Sequence, residues 1–75
     1  MGKLPRPGGK DMLRFLEGQG FTVIRVRGSH HFLKRNTQHT CVPVHSNQPL
    51  KTGTLRSILR DIQLSPSEFE RLWHV

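Results

Sequence analysis

Leu55, Ile58, Leu59 and Ile62 stand at i, i+3, i+4 and i+7, the spacing that lines one face of an α-helix. Upstream, Met12, Leu13, Phe15 and Leu16 cluster on one side of a helix expected from residue 9 or 10 to 19. Asp11 sits near its positive end, and Gly20 suits a left-handed cap. Residues 21–27, Phe-Thr-Val-Ile-Arg-Val-Arg, are rich in β-branched side chains and predict a strand, with Gly28 and Ser29 turning out of it. A second strand is expected from 30 to 34 or 35, ended by the polar turn 36–38. A third should cover 40–44, and Pro43, which lacks an N–H, places it at a sheet edge. Residues 45–49 read as a loop. Ser65, Pro66 and Glu68 carry the capping-box signature of a short last helix, with Phe69, Leu72 and Trp73 on its apolar side.

The order is therefore α-β-β-β-α-α, fold class α+β, in a single domain over residues 1–75. Residues 1–9, with Pro5, Pro7, Gly8 and Gly9, are expected as a flexible arm. The economical packing is one three-stranded antiparallel sheet with the helices on one face and the other face open to solvent or ligand. Strand 1 is apolar on both parities (Phe21 and Val23, then Ile24 and Val26), which leaves its inward side undecided.

Composition narrows the class. Only 33% of the 75 residues are hydrophobic, so the core is small, and a chain of this length buries only about 60% of its unfolded surface. No apolar run approaches the ~18 residues of a membrane span. The first ten residues are polar and rich in Pro, Gly and Lys, unlike a signal region, and Arg6 stands where myristoylation wants Ser or Thr. The single Cys41 makes no internal disulfide and favours a reducing cytoplasm.

Charge then points to a partner. The net charge is +7, and it is segregated. Between Gly18 and Arg60 there is no Asp or Glu, whereas Arg25, Arg27, Lys34, Arg35, Lys51, Arg56 and Arg60 all lie there. A one-signed field of this kind attracts a polyanion, nucleic acid first; an acidic protein reads the same field.

Four of the five histidines fall mid-chain, at 30, 31, 39 and 45. Alternation in a strand would set His39 beside Cys41, superficially a zinc pair, but no CxxC or HxxxH accompanies them and a packed or solvated strand face is the simpler reading. Cys41, mid-strand, reads as a small apolar side chain rather than a nucleophile. Arg27-Gly28-Ser29-His30-His31 is sharper. A glycine turn lets a phosphate approach the backbone, Ser29 adds a hydroxyl, and an imidazole with an unperturbed pKa near ~6.5 moves protons at neutral pH without a metal. Such a set suits RNA cleavage through the 2′-hydroxyl, with Arg or Lys meeting the developing charge. A second cluster, Lys51-Thr52-Gly53-Thr54-Leu55-Arg56, opens the long helix, where free N–H groups attract anions and Thr52 is a candidate cap. Arg56 and Arg60 lie four apart on its polar side, a like-charge pair that an acidic ligand would relieve.

Three stretches together carry a resemblance: Gly28-Ser29-His30-His31-Phe32, Val42-Pro43-Val44-His45, and the run from Leu50-Lys51-Thr52-Gly53-Thr54-Leu55-Arg56 through Ser57-Ile58-Leu59-Arg60-Asp61. In order and spacing they resemble the HicA (YcfA-like) toxins, and the likeness extends over about residues 10–72. It implies a fold similar to the double-stranded-RNA-binding domain. It also implies a bacterial or archaeal toxin–antitoxin module of the stress-response type, whose toxin is an mRNA interferase that halts translation. A HicB-type antitoxin would cover the active face, and the free toxin would be a monomer in the cytoplasm, away from membranes.

By motif match, His30 takes the catalytic role, with no cofactor and no metal. Arg27 stands where the family commonly has Lys, keeping the charge without a proton to give near neutrality. RNA contacts are expected from Arg27, Gly28, Ser29, Lys34, Lys51 and Arg56, and stacking from Phe32 or Leu33. His31 would be supporting or structural, and His45 or water the second proton-transfer agent. The alternative is a non-catalytic RNA-binding module of the same fold; an inactive homologue kept only to bind antitoxin ranks below it.

Overall fold

The computed structural model describes residues 5–73. Its elements run α1 (Gly9–Gly18), β1 (Thr22–Arg27), β2 (His30–Arg35), β3 (Gln38–Pro43), α2 (Thr52–Asp61) and α3 (Pro66–Leu72). The strands form one antiparallel sheet in the order β1-β2-β3, so β3 with its Pro43 is an edge strand as expected. This is the α+β, α-β-β-β-α-α architecture of the double-stranded-RNA-binding type. No helix among the described residues is long and apolar enough to cross a membrane.

Cross-strand partners share a face, so the register sorts every side chain. Val23, Leu33 and Val42 point inward, where they meet Met12, Phe15 and Leu16 of α1 and Leu55, Ile58 and Leu59 of α2. Phe21, Leu50, Ile62 and Phe69 complete the buried set. Thr40 also points inward, and its hydroxyl donates to the Asp61 carboxylate at 3.0 Å, which satisfies the one buried polar side chain among the described residues. The opposite face carries Thr22, Arg25, Arg27, His30, Phe32, Lys34, His39, Cys41 and Pro43, and among the described residues no helix lies over it. Phe32, not Leu33, is therefore the residue available for stacking; Leu33 is fully buried.

The double parity of strand 1 has a simple cause. The register shifts between Val23 and Arg25, a β-bulge at Ile24. Val23 faces the core before it, Arg25 and Arg27 face outward after it, and Ile24 and Val26 are each 55% exposed.

Two close contacts fix the sheet end where β3 finishes. A Cβ on Gly9 would meet the Pro43 carbonyl oxygen at 2.8 Å, so only glycine lets α1 start directly on the end of β3. Of the segment expected as an arm, residues 1–4 lie outside the described residues. Residues 7–9 are buried, the Leu50 N–H donates to the Pro7 carbonyl at 2.8 Å, and Gly8 forms a bridge with Pro49. The other sheet end is tied by Arg35, which donates to the Gln19 carbonyl at 2.7 Å and to Gln38 Oε1 at 2.6 Å over the Phe21 ring. Arg35 is thereby committed internally and leaves the set of cations open to a ligand.

The last helix follows its sequence. Ser65 accepts from the Glu68 N–H and Glu68 accepts from the Ser65 N–H, both at 3.1 Å. That backbone bond, then the hydroxyl, holds the Glu68 carboxyl below its usual range. The helix exists to seat Phe69, whose ring meets Phe15 edge-on at 5.1 Å and Trp73 at 5.2 Å. Truncating it leaves a cavity in a small core: Phe69→Ala should cost about 3–5 kcal/mol in urea unfolding, most of what a domain of this size holds.

Candidate functional site

A two-residue turn joins β1 to β2. Gly28 has φ +60°, a left-handed value at the first central position, as a tight hairpin turn of this hand requires, and Ser29 follows without positive φ. Among the described residues, chain neighbours apart, nothing lies within 4 Å of where a Cβ on Gly28 would stand, so the turn's backbone is open to an approaching group. The turn makes Arg27 and His30 direct partners, and His30 in turn pairs with Pro43 of β3. A row Arg27–His30–Pro43 thus crosses the open face at one end of the sheet, with Arg27 and His30 exposed.

The neighbouring His31 points the other way, as alternation demands, and is half-buried. Its Nδ1 donates to the Ser29 carbonyl at 3.4 Å, and the same carbonyl accepts the Val44 N–H at 2.7 Å. These bonds pin the turn to the end of β3. The chain leaving β3 then brings His45 back to the turn: its Nε2 lies 3.5 Å from the Ser29 hydroxyl. Sequence alone left His45 as one of two options for a second proton-transfer group; the fold sets it beside the turn that precedes His30.

A groove of about 260 Å³ continues from there, lined by Pro43, His45, Lys51 and Thr54 among others. Lys51 therefore belongs to the same end of the molecule as His30. It is the N-cap residue of α2, with extended backbone and no side-chain cap; the expected cap, Thr52, is instead the first helical residue. The first turn of α2 holds no acid. Lys34 shares the open face but lies four residues along β2, about 13 Å from His30 at ~3.3 Å per residue. Arg56 is exposed on α2, beyond that groove. The structure so gathers Arg27, Gly28, Ser29, His30, His45 and Lys51, and leaves Lys34 and Arg56 outside the cluster.

One feature of the open face escaped the sequence. The Arg25 guanidinium lies 4.9 Å from the centroid of the Phe32 ring, its cross-strand partner. The pairing depends on the bulge at Ile24, and a bulge leaves no signature in an unbroken β-branched run.

His39 and Cys41 do share the outer face, but among the described residues no three His, Cys, Asp or Glu side chains come together to hold a metal ion. Burial and then the Asp61 carboxylate push the Cys41 thiol up, so it stays protonated to higher pH than a free cysteine. A nucleophile needs the reverse. Iodoacetamide should accordingly alkylate Cys41 several-fold more slowly than free cysteine at pH 8, the gap closing as pH rises; mass spectrometry of quenched time points reads this directly.

The sequence matches a known family. Comparison with curated proteins gives no match. The family model described as the HicA toxin of bacterial toxin–antitoxin matches residues 9–64 of the 75, from the first residue of α1 to the residue before the α3 cap. The match takes in the Gly28 turn, His30, the end of β3 and all of α2, so it covers every residue of the cluster above. The chain belongs to the HicA toxin family, the toxin component of a toxin–antitoxin system with an antitoxin as its partner.

Proposed function

We propose that this toxin is an endoribonuclease that cleaves mRNA at the Arg27–His30 row, without a metal ion, and that a HicB-type antitoxin neutralises it by covering the open face of the sheet. The observation that carries this reading is the placement of an exposed imidazole beside an exposed guanidinium at an uncapped glycine turn. Between Gly18 and Arg60 no carboxylate competes for those cations.

The chemistry follows from the positions. The phosphate approaches the backbone of Gly28 and Ser29, and Arg27 neutralises its non-bridging oxygens. The 2′-oxygen of the preceding ribose attacks phosphorus as its proton is removed, and the P–O5′ bond breaks as the leaving oxygen is protonated. The products are a 2′,3′-cyclic phosphate and a free 5′-hydroxyl. His30 performs one of these transfers from the strand side. His45, whose Nε2 lies 3.5 Å from the Ser29 hydroxyl, or a water performs the other. Lys51 extends the positive surface along the groove that leads from Pro43. An open sheet face with Phe32 on it offers stacking and shape rather than base-edge readout, so sequence selectivity is slight and the antitoxin, not the target site, is the principal control.

The protein and its variants incubated with mixed mRNA in EDTA, resolved on a gel, test the reading. The parent should cut. His30→Ala should lose about 10²–10⁴-fold in rate, and Arg27→Ala about 10²-fold, with unfolding midpoints near the parent's because both side chains are exposed. If parent and His30→Ala both shift RNA and neither cuts it, the chain is a non-catalytic RNA-binding module.

A further inference from the structure

The open face holds a hollow that the cleavage chemistry does not use. It measures about 330 Å³ and is lined by Ile24, Arg25, Phe32, Leu33, His39 and Thr40. Leu33 and Thr40 turn their side chains into the core, so they supply its floor, while Phe32, His39, Ile24 and Arg25 form its walls. The bulge creates it: the extra residue sets Ile24 and Arg25 side by side opposite Phe32, and Ile24 stays 55% exposed. The Arg25 guanidinium then rests against the Phe32 ring, 4.9 Å from its centroid.

We propose that this hollow is a nucleobase subsite: it receives one unstacked base of a single-stranded RNA whose phosphate lies at the Arg27–His30 row, and so rests on the ribonuclease reading above. Its position supports the pairing. Phe32 follows His30 by two residues on the same strand and face, about 7 Å away at ~3.4 Å per residue. That separation is of the order of the distance from a phosphate to the base of an adjoining nucleotide. Its chemistry supports a base over a phosphate or a peptide carboxylate. The walls combine an apolar side chain, an aromatic ring and a guanidinium plane, the two planar groups on which unpaired bases stack. The charges around it, Arg25, Arg27 and Lys34, are all positive and suit the backbone on either side. A paired base inside an A-form helix cannot reach a hollow in a flat sheet face, so the subsite selects single-stranded segments.

Binding of oligoribonucleotides to non-cleaving His30→Ala protein separates this claim from the claim of catalysis. Two probes of about twelve nucleotides are compared: single-stranded oligouridylate and the same ribose-phosphate chain without bases. In the His30→Ala background, Phe32→Ala should weaken oligouridylate binding roughly 5- to 100-fold, and Ile24→Ser, at an exposed position that folding does not need, should weaken it less. Neither change should shift the base-free probe by more than about twofold, whereas Arg27→Ala should weaken both probes alike. Equal losses on the two probes, or no loss on either with only antitoxin binding impaired, overturn the subsite and leave the ribonuclease reading standing. Failure of the parent to bind either probe overturns both.

Discussion

The two-residue turn at Gly28 and Ser29 is the constraint from which the site follows. A left-handed φ at Gly28 closes β1 onto β2 so that Arg27 and His30 become direct partners. Partners across an antiparallel pair share a face, so guanidinium and imidazole arrive together on the side the helices leave bare. The turn does not hold itself. The Ser29 carbonyl is bonded by Val44 and His31, and β3 is in turn pressed by the start of α1 at Gly9. A residue with a side chain at position 9 would push α1 off Pro43 and Val44, and so move the strand end on which the turn and His45 depend.

The two ends of the sheet are used differently. At one, Arg35, Gln38, Gln63 and the Gln19 carbonyl form a hydrogen-bonded tie between the β2–β3 hairpin and the helix ends. At the other, Arg27, His30 and Lys51 are exposed beside the turn and the groove that leads from Pro43. One-sided burial explains how so small a chain manages this. A single layer of helices supplies the core, with Phe15, Phe69 and Trp73 in mutual contact, and the whole outer face is left for a ligand. No carboxylate between Gly18 and Arg60 cancels the positive field there.

Much of this was legible in the residues. Periodicity located α2, Ser65 and Glu68 announced the last helix, Pro43 marked an edge, and Gly28 and Ser29 marked the turn between β1 and β2, because each is a local rule that tertiary packing had no reason to override. The misses were non-local. Thr52 was expected to cap α2, but the approach of residues 7–8 to 49–50 sets the entry so that Lys51 takes that position. Arg35 lies in the acid-free basic stretch, and its internal bonds to Gln19 and Gln38 could not be read from the sequence. The facing of strand 1 depended on a bulge at Ile24, which also creates the Arg25–Phe32 contact, and one extra residue in a β-branched run has no sequence mark of its own. The proximity of His45 to Ser29 likewise required the chain to leave β3 in the observed direction.

The most direct measurement is cleavage of a matched pair of RNA substrates, one all-ribose and one carrying a single 2′-deoxynucleotide immediately before a mapped cut, with the product ends identified by mass spectrometry. The account predicts that the parent protein leaves a 2′,3′-cyclic phosphate on the ribose substrate and that the deoxy substitution abolishes that one cut while others persist. Cleavage at the deoxy position, or products bearing 5′-phosphates, would contradict attack by the 2′-hydroxyl and with it the role assigned to His30.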